Sequence, residues 1–97
     1  MRDIFDRLQA LFWLTEDEVT VALKNYPAFH SAHEGWAVLD EEAEELKREV
    51  YWGVPAERMV RVRAEAIQVA AMAIRLIQDV CDREPVADGQ VQTGDTH

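Results

Sequence analysis

The 97-residue chain has few cysteines, glycines and basic residues, and these scarcities exclude several classes of protein. A single cysteine, Cys81, excludes an internal disulfide, and the four glycines form no phosphate-binding loop. The 19 acidic and 10 basic residues give a net charge of -9, which argues against a partner that is a nucleic acid polymer. No apolar run approaches the roughly 20 residues of a membrane span, and the start MRDIFDRLQA does not resemble a signal peptide. We therefore expect a soluble cytoplasmic protein.

The sequence instead carries helical periodicity from its first residues, and no segment alternates like a strand. Apolar residues recur at helical spacing over residues 3–13. Thr15 with Glu18 three positions later is typical of a helix N-terminus and predicts a second short helix. Pro27 ends that helix, because proline lacks the amide hydrogen that a continuing helix needs.

Two long helices are predicted in the second half of the chain. Ser31 and Glu34 form a capping box, which predicts a helix that runs to Trp52 and ends at Gly53. A further helix is predicted over residues 55–83, with a proline in its first turn. Because the break between them is short, the two helices should fold back as an antiparallel hairpin. The fold class predicted is an all-α helical bundle.

The middle of the last helix, residues 66–77, is apolar on nearly every side. The preceding helices cannot cover so much apolar surface, so we predict a homodimer or a dimer of dimers whose hairpins complete a four-helix core. Residues 1–83 form a single domain in this interpretation. Residues 84–97 show no periodicity and are predicted to be a disordered tail. Met59, Met72 and Cys81 are expected to be buried.

The segment VLDEEAEELKREV, residues 38–50, concentrates carboxylates on one flank of a helix. At about 100° per residue, the core stripe is predicted to consist of Leu39, Ala43, Leu46 and Val50. The flank beside it holds Glu34, Glu41, Glu42, Glu45 and Glu49. In the hairpin, Glu42 and Glu45 face the layer of the last helix that contains Glu65 and Gln68. Such a set of oxygen atoms suits a hard divalent cation.

The motif EEAEE at residues 41–45, followed by EAIQ at 65–68, resembles the EExxE and ExxD motifs of the MazG-like all-alpha nucleoside triphosphate pyrophosphohydrolases. The resemblance covers about residues 29–83 and implies hydrolysis of a nucleoside triphosphate to its monophosphate and pyrophosphate. It implies Mg²⁺, or Mn²⁺, held by Glu42, Glu45, Glu65 and Gln68. It also assigns catalysis to Glu41 and Glu42, with Glu41 supporting a second ion or orienting the water. Gln68 departs from the family pattern, which has aspartate there.

Two alternatives remain open from the sequence. The acidic flank can be a solvated surface whose charges pair with Arg58 and Arg61 on the next helix. Those two arginines can instead hold substrate phosphates. In the same way, the protein is either a nucleotide hydrolase or a non-catalytic helical module for oligomerisation or partner binding, in which glutamine at position 68 weakens the metal site.

Overall fold

The computed structural model describes residues 2–83, which form three α-helices followed by a π-helical turn. The helices are α1 (Arg2–Asn25), α2 (Ala32–Trp52) and α3 (Arg58–Leu76), and the π-helical turn spans Ile77–Cys81. No strand occurs within residues 2–83, so the predicted all-α class is confirmed. The predicted tail, residues 84–97, lies outside the described residues.

α1 is one continuous helix of 24 residues, so the prediction of two short helices in this region is wrong. The hydroxyl of Thr15 donates a hydrogen bond to the carbonyl oxygen of Leu11, at 2.8 Å, instead of accepting one from the following turn as a helix cap does. No glycine or proline occurs between residues 3 and 25, so nothing in the backbone interrupts the helix. The capping pattern was therefore a coincidence of spacing.

The ends of α2 agree with the sequence. The Ser31 hydroxyl accepts a hydrogen bond from the Glu34 amide at 3.1 Å, and the Glu34 carboxylate accepts one from the amide of His30. The helix ends at Gly53, whose amide donates to the carbonyl of Glu49. α3 begins at Arg58, three residues later than predicted, because residues 55–57 form a turn ahead of the helix.

α3 is the central helix and packs against both α1 and α2. Gly35 of α2 lies against Leu76, and Glu42 of α2 lies against Glu65, so α2 and α3 run antiparallel as predicted. A Cβ atom on Gly35 would lie 2.4 Å from Leu76 Cδ1, so any larger residue here would require the end of the Leu76 side chain to shift. The core is small and consists of Val19, Ala22, Phe29, Ala71 and Met72.

The face of α2 that turns toward α3 is rotated from the prediction. Leu39 and Leu46 are partly buried, but Ala43 and Val50 of the predicted core stripe are exposed. The partly buried positions of α2 are instead Val38, Leu39, Glu42, Leu46 and Glu49. The buried Gly35 lies on this same face, and the rotation brings Glu42 and Glu49 into the interface itself rather than beside it.

Three smaller expectations have mixed outcomes. Met72 is buried as predicted, whereas Met59 is 70% exposed and Cys81 is exposed. Met59 lies in the first turn of α3 and Cys81 is the last residue of the π-helical turn, so both are at the ends of their elements. Within residues 2–83, no helix has both the length and the apolar character that crossing a bilayer requires.

Candidate metal centre

Three carboxylates meet at the centre of the α2–α3 hairpin. Glu42 and Glu45 are one turn apart on α2, and Glu65 approaches them from α3. One oxygen atom from each of the three residues lies within 4.8 Å of the other two. These are three of the four ligands predicted from the sequence, and we call them the carboxylate cluster.

The electrostatics of the cluster disfavour ionised carboxylates. Partial burial raises the pKa of Glu42, and the neighbouring charges of Glu45, Glu65 and Glu41 raise it further. Burial also raises the pKa of Glu65, and so do the charges of Glu45 and Glu49 and the close contact with the Glu45 carboxylate. Arg61 opposes this effect on Glu65 only in part. The protein therefore holds like charges together without an equivalent positive charge of its own.

One oxygen atom of the cluster has no partner. Glu65 Oε1 is buried and accepts no hydrogen bond from residues 2–83. Within the described residues, no salt bridge includes Glu42, Glu45 or Glu65. Arg61, the nearby arginine, pairs instead with Glu57 at 3.0 Å on an exposed surface. Buried acceptors are normally satisfied, so an unpartnered oxygen among three carboxylates fits a bound cation. Hard oxygen donors of this kind suit Mg²⁺ and Mn²⁺.

The remaining predicted site residues surround the cluster. Gln68 lies one turn beyond Glu65 on α3 and shares a cavity wall with Glu42. Glu41 is exposed, and its charge acts on Glu42. Arg58 donates to the carbonyl of Gly53 at 2.8 Å, and its Nε atom is buried without a partner. Arg58 therefore has one donor without a partner in residues 2–83, and that atom is not exposed to solvent.

A cavity of about 520 Å³ opens on the other side of the cluster, toward the C-terminal half of α3. Glu42 and Gln68 form the end nearest the cluster. Its volume lies within the range of small-molecule sites, roughly 300–1,000 Å³. The wall is completed by residues that include Glu18, Tyr26, Phe29, Glu34 and Met72. This cavity was not predicted from the sequence, because its wall includes the loop after α1, which packs against α3.

A second charged group, Arg75, was missed from the sequence. It is 2% exposed, and its Nε atom donates to the carboxylate of Asp79 at 3.0 Å. Its other nitrogen atoms donate to the backbone carbonyl oxygens of Ala22, Tyr26 and Pro27. Its guanidinium also lies 5.0 Å from the ring centre of Phe29. An arginine inside the apolar run AIRLI, four residues before an aspartate, was the available signal.

Comparison with known proteins adds no assignment: no protein-family model, no characterised protein and no solved structure matches the chain. We therefore infer the function from the geometry of the carboxylate cluster and the adjoining cavity. The resemblance of residues 29–83 to MazG-like pyrophosphohydrolases stays a prediction.

Proposed function

We propose that the protein is a magnesium-dependent nucleoside triphosphate pyrophosphohydrolase of the MazG-like type, which releases a nucleoside monophosphate and pyrophosphate. The observation that supports this most directly is the buried, unpartnered Glu65 Oε1 atom within 4.8 Å of two further carboxylates. A cavity of nucleotide size adjoins the same carboxylates. Manganese is the alternative ion, because it accepts the same oxygen ligands.

Different residues bind the cation and activate the water in the proposed reaction. Glu42, Glu45 and Glu65 hold the cation, and Gln68 adds a neutral amide oxygen. When bound, Mg²⁺ neutralises phosphate charge and makes water easier to deprotonate. Exposed Glu41, beside Glu42, orients the water and accepts its proton. Water adds to the α-phosphorus as the bond to the bridging oxygen breaks, and pyrophosphate leaves.

Arg58 and Arg61 are placed to receive the departing pyrophosphate. Both precede Glu65 on α3 at intervals of three and four residues, so they lie on its face of the helix. The Nε atom of Arg58 is buried and has no partner within residues 2–83, so Arg58 has a spare donor for a phosphate oxygen once its side chain turns outward. The Arg61 guanidinium, whose pKa is raised mainly by its hydrogen bond to Glu57, stays charged throughout the neutral range.

The test is a panel of nucleoside triphosphates incubated with Mg²⁺ and assayed for monophosphate and pyrophosphate. Glu45→Gln should lower turnover by at least about 100-fold, since it removes one cation ligand. Glu44→Gln is the matched control, because Glu44 is exposed and outside the cluster. Gln68→Asp should tighten metal binding and raise turnover. Absence of hydrolysis by both the native chain and Gln68→Asp would overturn the proposal.

The second candidate function is a non-catalytic module for oligomerisation or partner binding. An open apolar groove of about 740 Å³ between α1 and α3 favours it, with Leu8, Phe12, Ile67 and Ile74 in its walls. Large apolar side chains on the same two helices are also exposed, including Phe5 at 71% and Val60 at 73%. The absence of hydrolysis, together with a melting temperature that neither Mg²⁺ nor Mn²⁺ raises, would favour the non-catalytic module.

We infer that a second copy of the chain covers this groove, as a homodimer or as a dimer of dimers. A monomer rarely leaves so large an apolar surface in water, and α1 and α3 of two copies can pair to complete a four-helix core. Light scattering at micromolar concentration should give twice the chain mass of 11.1 kDa, about 22 kDa, or twice that again. A mass near 11.1 kDa would contradict this assembly.

A further inference from the structure

The cavity beside the carboxylate cluster carries more hydrogen-bond acceptors than donors. Its polar side chains are Glu18, Tyr26, Glu34, Glu42, Gln68 and Arg75, and the Tyr26 hydroxyl and the Gln68 amide can donate as well as accept. Arg75 is not available to a ligand, because its guanidinium nitrogens all bond to protein oxygens. Three carboxylates without a free cation repel a phosphate group. The cavity therefore suits the uncharged end of a nucleotide.

Glu18 is the free acceptor in this cavity. It is partly buried on α1, and nothing in residues 2–83 donates a hydrogen bond or a salt bridge to its carboxylate. The other two carboxylates have roles already, since Glu34 accepts from the His30 amide and Glu42 belongs to the cluster. A ligand that enters between α1 and α3 therefore meets one unpaired carboxylate.

The apolar part of the cavity wall suits a flat ring. Phe29 and Met72 line it as nearly buried residues, so the aromatic face that remains for a ligand is that of Tyr26, whose side chain is 65% exposed. Aromatic faces bind nucleobases by stacking, with little dependence on which base is present. Discrimination between bases must then come from the polar group at the edge of the ring.

We propose that this cavity holds the nucleobase and that Glu18 accepts a hydrogen bond from its exocyclic amino group. The inference rests on the proposed function, and it narrows the substrates to cytosine, adenine and guanine nucleotides. The amino groups of these bases donate to a carboxylate, whereas uracil and hypoxanthine carry an acceptor carbonyl at the matching position and keep only the neighbouring ring N–H as a donor. Because Glu18 is only partly buried, the expected preference is about tenfold and below that of a fully buried recognition group.

The order of residues on α3 fits a nucleotide bound in this direction. Arg58 and Arg61 precede Glu65, and Gln68 and Met72 follow it, all at intervals of three or four residues. At 1.5 Å per residue, the ten residues from Arg58 to Gln68 span about 15 Å. The base, the reacting phosphate and the leaving pyrophosphate thus lie in sequence along one face of the hairpin.

Two matched pairs of substrates test the assignment: CTP against UTP, and ATP against ITP, which differ in amino and carbonyl groups at one ring position. The native chain should favour CTP and ATP by about tenfold or more in kcat/KM. Glu18→Gln should remove or reverse the preference, because an amide can donate to a carbonyl. Asp17→Asn is the control, since this exposed neighbour loses the same charge and should leave the ratios unchanged. Equal use of each pair by the native chain would overturn the inference.

A binding experiment separates this inference from the proposed hydrolysis. CMP and UMP are titrated without metal, and the side-chain amide signals of Gln68 are followed by NMR. Selective shifts with CMP that Glu18→Gln abolishes support the cavity assignment even if no triphosphate is hydrolysed. Hydrolysis without any base preference leaves the proposed function in place and overturns the role of Glu18. Equal shifts with both monophosphates also overturn it.

Discussion

The two groups of charged side chains on α3, one buried and one partly exposed, show opposite arrangements. At one end of the helix, Arg75 and Asp79 form a pair in which the opposite charges are 3.0 Å apart. Asp79 also accepts from the amide of Phe29 at 3.0 Å, so the pair fastens the loop after α1 to the helix. In the middle of the helix, Glu65 faces Glu42 and Glu45, and all three carry charge of the same sign.

This difference in charge indicates that the Arg75–Asp79 pair stabilises the fold, whereas the carboxylate cluster is suited to bind a cation. Buried charges persist where opposite charges and hydrogen bonds satisfy them, and the Arg75–Asp79 pair meets both conditions. The carboxylate cluster has no opposite charge within it and only a hydrogen bond between Glu65 and Glu45; Glu65 Oε1 is unpartnered, and like charges raise the pKa of Glu42 and Glu65. Removing a charge should therefore harm the first group and relieve the second.

The largest effect is expected at Arg75. Arg75→Met leaves Asp79 buried without its partner and frees three backbone carbonyl oxygens, so it should cost about 3–5 kcal/mol in the free energy of unfolding. Urea denaturation at neutral pH measures this, with Arg63→Met, at an exposed position of α3, as the control. If Arg75→Met lowers the free energy of unfolding by less than about 1 kcal/mol, the Arg75–Asp79 pair is not the stabilising group that this comparison requires.

The next largest effect concerns the cation. At 100 times its dissociation constant, Mg²⁺ should stabilise the folded chain by about 2.7 kcal/mol, because the unfolded chain has no preformed site. Thermal unfolding with Mg²⁺, Mn²⁺ or a chelator measures the change. Glu65→Gln should abolish it, and Glu44→Gln should retain it. A native chain whose melting temperature does not respond to either ion speaks against a metal centre.

A third expectation is the pH dependence of the metal-free chain. The pKa values of Glu42 and Glu65 are raised above the ordinary 4.5, so the folded state binds their protons more tightly than the unfolded state does. Their contribution to stability is therefore full below about pH 4.5 and is lost as pH rises through the folded-state values. The stabilisation by Mg²⁺ should follow the opposite course. Chemical denaturation across pH 4–8, with and without Mg²⁺, measures both, and Glu42→Gln should flatten both curves.

The smallest effect is a gain in stability. Without metal, Glu42→Gln removes one of several repelling charges and should raise the free energy of unfolding by about 0.5 kcal/mol at neutral pH. That corresponds to roughly 2–4 °C in melting temperature for a domain of this size. Differential scanning calorimetry can resolve it, with Glu44→Gln as control. Destabilisation by Glu42→Gln would show that the cluster is satisfied in a way that its geometry does not reveal.

The sequence predicted those features that depend on neighbouring residues. The bounds of α2 follow from Ser31 and Gly53, and both are local signals. The meeting of Glu42 and Glu45 with Glu65 follows from helical spacing together with one short turn, so simple geometry was sufficient. These predictions needed no knowledge of how the helices pack.

The features that escaped prediction depend on distant contacts. The partners of Arg75 include carbonyl groups 48 to 53 residues away, which no periodicity can indicate. The rotation of α2 accompanies the approach of Gly35 to Leu76, and it places Glu42 in the interface instead of beside it. Thr15 had the right spacing for a cap but bonded to the preceding turn. Tertiary packing decided each of these.

The exposed Cys81 is the sole thiol in the chain, so it offers a direct test of the proposed dimer or dimer of dimers. A nitroxide label attached there gives one unpaired electron per subunit. Any dipolar distance recorded by pulsed electron resonance must then join two subunits and cannot arise within one. A symmetric dimer yields a single narrow distance, whereas a dimer of dimers yields more than one. Dilution with unlabelled chain leaves these distances unchanged and lowers the modulation depth of the dipolar signal.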